Sequence, residues 1–253
     1  MNLKQQKTLA LLKEFIAIME EHNLQYSLIY GTMLGAIRHN GFIPWDDDVD
    51  VVVPKSTYDF LVQNYPDVFL HNKNSNNFLL FGKFTHDLET NEDAIFIDVF
   101  VAVQTSAKLI KKYTSLNNRI RYLKNYTHRP LFKRQWGMKI LKFVCLWTWL
   151  AKKITLEEAY TKLHDPNGDI SLIITWPFKS EIRKSSYQCI DFNSVFKHDF
   201  EDIQANVFTN YESMLIQTYG NNWNIPKKFV LSTHLGMYDI DVFTFKKKVK
   251  DEK

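Results

Sequence analysis

The stretch 41-GFIPWDDDVDVVVP-54 sets four carboxylates within five positions and runs them into an apolar segment. Like charges that close repel, and burying one is costly unless a counter-charge meets it. From Asp48 onward the carboxylates alternate with valine, which is the period of a strand. Asp48 and Asp50 therefore share one face, and Val49, Val51 and Val53 share the other. Two carboxylates side by side on a half-buried strand require a cation between them. Magnesium takes one or two carboxylates and completes its shell with water and phosphate oxygens, so the pattern points to phosphoryl or nucleotidyl transfer. Asp46 and Asp47 read equally well as part of this site or as a solvated turn before the strand.

Working outward, YSLIYG (26–31) reads as a short buried strand and GTMLGAIRHNG (31–41) as a helix capped by Thr32 and stopped by Gly41. Gly31, closing a strand and opening a helix, lets a phosphate approach backbone N–H groups at the helix start. Downstream, KSTYDFLVQNY reads as a helix, and NFLLFGKF (77–84) and AIFIDVFVAV (94–103) as strands. The latter embeds Asp98 among apolar residues, where it needs a metal or a basic partner. Helical, basic sequence runs from Ser106 to about Lys153. DISLIITW and SYQCIDF are candidate strands, and Asp202–Gly220 reads as helical. These elements predict an α+β fold, with a mixed β-sheet in the first half, flanking helices and a helical second half.

The chain has 253 residues, 45% hydrophobic and 15% aromatic, which supports a sizeable core. Its net charge of +4 and pI near 8.8 are too mildly basic for a nucleic-acid binder. Cys145 and Cys189 lie in no metal or disulfide pattern and suit a reducing cytoplasm. The N-terminus reads as an amphipathic helix ending near His22 rather than a signal peptide, and no apolar run is long enough to span a bilayer.

The string YGTMLGAIRHNGFIPWDDDVDVVVPKSTYDFL (30–61), followed by a lone Asp in FIDVF, resembles the LicD family. This family is a branch of the nucleotidyltransferase superfamily distantly similar to fukutin. The likeness continues thinly through the lysine of FGKF and the late YESMLIQTYGNNWNIP, but Thr85 and His86 stand where the family carries a basic residue. The resemblance implies a nucleotidyltransferase-like catalytic core over residues 1–105. A mostly helical acceptor or membrane-side region, 106–253, would pack on it. It further implies transfer of phosphocholine, or a related phospho-alcohol, from a CDP-activated donor such as CDP-choline. The acceptor would be a sugar hydroxyl of a surface glycan such as lipooligosaccharide or teichoic acid, and CMP would be released. Asp48 and Asp50 would hold Mg²⁺ or Mn²⁺, and Asp98 would complete the metal site or take the acceptor's proton.

Around these carboxylates, Arg38 suits a phosphate through its planar fork, with His39 beside it or merely at a solvated helix end. Lys83, a strand lysine with no visible partner, asks for an anion. Trp45 either stacks on the donor or packs its loop. Tyr219 and Trp223, with Asn222, are candidate contacts for a quaternary ammonium or the acceptor. His234 falls near a family histidine.

The segment RQWGMKILKFVCLWTWLAKK (134–153) has two open readings: a membrane-interface helix with Trp136, Trp147, Trp149 and flanking lysines, or an ordinary buried helix. The first would place the protein peripherally on the inner face of the cell membrane, near a lipid-linked acceptor. Against phospho-alcohol transfer stand two alternatives. One is a nucleotidyltransferase releasing pyrophosphate; the other is a glycan-binding protein without catalysis.

Overall fold

A computed structural model describes residues 1–75, 77–87, 94–127, 140 and 143–227. Helix α1 (Leu3–Glu21) opens with a capping box in which the Asn2 side chain accepts from Gln5 N and the Gln5 side chain from Asn2 N, each at 2.8 Å. Leu9, Leu12, Phe15, Ile16 and Met19 form its buried stripe, as the helical spacing predicts. Strand β1 is only Ser27–Leu28, because Tyr30 takes a left-handed φ of 49° and starts helix α2 (Tyr30–His39). The predicted strand 26–31 is thus mostly helix entry. Ile29 is the N-cap, and Asn40, in the left-handed region, ends the helix one residue before Gly41. Thr32 is not a cap but a buried residue of the first turn.

The acidic stretch becomes strand β2 (Val49–Val53), and helix α3 (Lys55–Asn64) follows Pro54. Strands β3 (Phe69–Leu70), β4 (Gly82–Phe84) and β5 (Ile97–Thr105) complete the order β1-β2-β5-β4-β3. Only β2 and β5 are parallel in this run; the other neighbours are antiparallel. The long β5 continues past β2 and pairs along Ala102–Thr105 with β6 (Ile170–Ile173), which pairs in turn with β7 (Ser186–Tyr187). The seven-stranded mixed sheet with helices around it is the predicted α+β architecture, and its last two strands come from the second half of the chain.

Helices α4 (Ala107–Tyr113), α5 (Leu116–Thr127), α6 (Leu156–Leu163) and α7 (Lys179–Lys184) cover the sheet, with a 3₁₀ helix at Leu146–Leu150. One sequence expectation fails outright. Asp202–Gly220 is not continuously helical: β8 (Val195–Phe200) and β9 (Ile203–Phe208) form a hairpin, and only Tyr211–Tyr219 is helix α8. Glu201 turns the hairpin with φ 56°, and alternating burial of Ala205 and Val207 seats it on the core. In the described part of the Trp-rich segment, Ile140, Phe143 and Val144 are helical and Leu146–Leu150 is a 3₁₀ turn, and most of their apolar side chains are exposed. Trp136, His234 and the lysine-rich C-terminus lie outside the described residues.

Candidate active site

Register brings the carboxylates together. Asp50 on β2 pairs with Asp98 on β5, and Asp98 pairs with Lys83 on β4. Residues directly opposite one another share a face, so three adjacent strands carry a row of two carboxylates and one ammonium. Lys83 Nζ lies 2.7 Å from Asp98 Oδ1, both side chains nearly excluded from solvent. It also sits 3.4 Å from the centre of the Phe96 ring. The lysine that seemed to want an outside anion therefore has one in the protein, and Asp98 has the basic partner its isolation demanded.

Asp50 is fixed by its backbone. Where β1 ends, the Thr32 hydroxyl replaces a ladder partner by accepting from Asp50 N at 2.8 Å, and Ile29 N donates to Asp50 O at 3.1 Å. The loop carrying the other acids is tied down by α1. The buried Gln5 side chain donates to Asp46 O at 2.7 Å, Thr8 Oγ1 donates to Asp47 O at 3.2 Å, and Lys4 pairs with the Asp47 carboxylate at 3.3 Å. Gly31 faces Asp46, since a Cβ there would lie 3.1 Å from Asp46 Oδ2. Asp46 thus belongs with the cluster, against the first turn of α2, while Asp47 turns to Lys4.

Burial and mutual repulsion disfavour the charged form of these acids. Burial, then the Asp48 charge, pushes the Asp46 carboxyl up to about 8. Asp50 is held well above the ordinary carboxylate range by burial and by Asp48, Asp98 and Asp46, with Lys83 pulling the other way. Around the row stand the phenols of Tyr30, Tyr187 and Tyr219, of which the sequence singled out Tyr219 alone. Tyr30 donates to Ser185 Oγ at 2.8 Å, and Tyr187 shares a 2.9 Å hydrogen bond with Thr218. Burial raises Tyr30 strongly and Tyr187 to about 12. Tyr219, on α8, is raised by burial of its hydroxyl and then by the Asp50 charge, although 43% of the residue remains exposed. No pattern in the sequence marks Tyr187; Tyr30 precedes Gly31 in the quoted stretch but carried no chemical signal there.

Arg38, half-buried at the end of α2, donates through Nη1 to Trp223 O at 3.1 Å and through Nε to His39 Nε2 at 3.0 Å. Burial lowers Arg38, and burial with the adjacent guanidinium lowers His39. These bonds bring the turn after α8, with Trp223, against the end of α2. Trp45 is exposed in the loop beside Asp46, and His86 is drawn away by Glu14 at 2.9 Å. The donors at the row are hard carboxylate oxygens. Among the described residues no three Asp, Glu, His or Cys side chains converge as a ready-made metal cage. Nor is any described helix long and apolar enough to cross a membrane.

Known proteins share stretches of this sequence. A family model described as LicD/FKTN/FKRP, nucleotidyltransferase domain, matches residues 23–143. The chain is similar to the lipopolysaccharide cholinephosphotransferase LicD of Haemophilus influenzae, 25% identical over 279 aligned positions covering 89% of this chain and 93% of that protein. Short stretches of uncharacterized proteins from Rickettsia prowazekii and Rickettsia typhi are each 44% identical over 41 residues, 16% of this chain. The stretch matched by the LicD/FKTN/FKRP domain model, residues 23–143, holds the whole row and the acids beside it, so the likeness to that family falls on the candidate site.

Proposed function

We propose that this chain is a transferase moving phosphocholine, or a related phospho-alcohol, from a CDP-activated donor to a sugar hydroxyl of a surface glycan. The observation that carries the reading is the Asp50–Asp98–Lys83 row across three strands, with Asp46 and Asp48 crowding it. The likeness to a lipopolysaccharide cholinephosphotransferase along most of both chains supports it and makes lipopolysaccharide the first acceptor to test.

A cluster of hard oxygens in which burial and like-charge repulsion disfavour the ionised acids fits a divalent cation. Asp48 and Asp50 would hold Mg²⁺ or Mn²⁺, which when bound offsets the negative charge of the diphosphate. Asp98, oriented by Lys83, accepts the proton of the attacking sugar hydroxyl. The hydroxyl oxygen forms a bond to the phosphorus bearing the alcohol, and the bond from that phosphorus to the bridging oxygen breaks. CMP departs with the electron pair. Most of the catalytic effect then lies in positioning and charge stabilisation. Arg38 receives the leaving phosphate with His39 steadying its fork, and Gly31 leaves room beside the first turn of α2. Tyr219 and Trp223 offer aromatic surface to a quaternary ammonium that the nearby carboxylates also attract.

The test is product analysis. With CDP-choline, Mg²⁺ and lipopolysaccharide, the glycan gains phosphocholine by mass and CMP accumulates in equal amount, both abolished by EDTA. Pyrophosphate released from a nucleoside triphosphate, with no CMP from any CDP-alcohol, would favour nucleotidyl transfer, which the domain type also accommodates. Glycan binding without turnover of either donor class would overturn catalysis altogether.

A further inference from the structure

Between Val99 and Leu156 the chain has nine lysines and four arginines and not one Asp or Glu. The rest of the chain, with 19 basic and 28 acidic residues, is net acidic. The +4 total conceals this polarity. Within the basic region lies an apolar surface: Phe143, Val144, Leu146, Trp147, Trp149 and Leu150 are each between 52% and 77% exposed. That is six large apolar side chains in eight consecutive positions, far from the scattered single exposures that are normal on a protein surface.

The surface is built rather than left over. Its backbone is held from beneath by polar side chains of α5. Lys124 donates to Trp149 O at 2.8 Å and to Ala151 O; Arg121 donates to Lys152 O at 3.0 Å and Lys153 O at 2.8 Å. Asn125 exchanges two bonds with Ile154, at 2.7 and 3.0 Å. Between the exposed residues, Cys145 and Thr148 point inward, Thr148 Oγ1 donating to Cys145 O at 2.7 Å. The fold thus fixes the main chain through its polar groups and turns the tryptophans and leucines outward, with Lys152 and Lys153 exposed at the edge.

We propose that this face docks the protein on an anionic lipid bilayer, the two tryptophans and neighbouring aliphatics entering the headgroup–acyl boundary and the lysines meeting lipid phosphates. Tryptophan prefers that boundary, and lysine near an anionic surface adds attraction. Charge selects the bilayer over a second copy of the chain. A self-complementary contact would set the all-basic region against itself. The proposal stands on the surface alone and does not depend on the transfer reaction.

The experiment is co-sedimentation of the full chain with vesicles of phosphatidylcholine alone or mixed with phosphatidylglycerol, with tryptophan emission recorded. Binding is expected to be at least about tenfold tighter on the anionic vesicles, weakened by salt and accompanied by a blue shift. The triple variant Trp147→Ser/Trp149→Ser/Leu150→Ser should lose about tenfold or more of that affinity with an unchanged melting temperature. Trp147→Phe/Trp149→Phe should keep most of it. Equal vesicle binding by the triple variant and wild type overturns the proposal. So does loss of binding only when Lys246, Lys247, Lys248 and Lys250 are changed to Gln. A vesicle-free dimer dissolved by the triple variant would instead assign the face to a second copy and equally overturn it.

Discussion

At Asp50 both backbone groups are committed on the side of the first strand, the N–H to the Thr32 hydroxyl and the carbonyl to Ile29 N. Thr32→Val keeps the shape and removes the acceptor, leaving a buried N–H unpaired. We expect a loss of about 1–3 kcal/mol in denaturant unfolding and a fall in transferase activity larger than that stability loss explains; Thr32→Ser should restore both. Lys83 and Asp98 form the other fixed point. Lys83→Met strands a buried carboxylate and should cost about 3–5 kcal/mol, whereas Lys83→Met/Asp98→Asn should recover a measurable part of it in a double-mutant cycle. Additive losses would show that the 2.7 Å pair contributes little. The sequence exposed Asp48, Asp50 and Asp98 through their valine and phenylalanine neighbours. It could not show that Lys83 answers Asp98, because that pairing depends on strand register.

Among the elements, α2 is set by a close approach. A Cβ on Gly35 would meet Gly41 O at 2.5 Å, a backbone atom that cannot turn aside. Gly35→Ala should therefore push the acidic loop off the helix, lowering stability by about 1–3 kcal/mol and activity with it. The α5–α6 contact makes a pH prediction. The Arg121 guanidinium holds the Glu158 carboxyl down to about 2, with Lys162 assisting. Its folded-state value lies below its unfolded one, so its contribution to stability is present above the ordinary glutamate range near 4.5 and disappears as pH falls toward 2. Melting temperatures across that interval should drop less steeply in Glu158→Gln than in wild type. Parallel curves would refute the linkage. The strand periodicity of β2 and the helical stripe of α1 were plain in the sequence. The β8–β9 hairpin was not, because its turn at Glu201-Asp202 has no glycine or proline and only Thr209-Asn210 separate β9 from α8.

Across the whole molecule, one long strand joins the two halves: β5 carries Asp98 at one end and receives β6 at the other. Tyr219, from the second half, stands near Asp46, Asp48 and Asp50 of the first, with Tyr187 beside it. That convergence was out of reach of local pattern, since the contributing residues are more than a hundred positions apart. The resemblance gave the acidic half of the site and, of the aromatic half, Tyr219 and Trp223; Tyr30 and Tyr187 joined it only in three dimensions. The most direct test of the account is the rate of CMP release from CDP-choline, with Mg²⁺ and acceptor glycan, by wild type, Asp50→Asn and Asp98→Asn measured together. The account predicts release by wild type and a loss of at least about a hundredfold in each variant. It also predicts that excess Mg²⁺ partly rescues Asp50→Asn but not Asp98→Asn. Wild-type rates retained in both variants would contradict the assignment of this carboxylate row as the transfer centre.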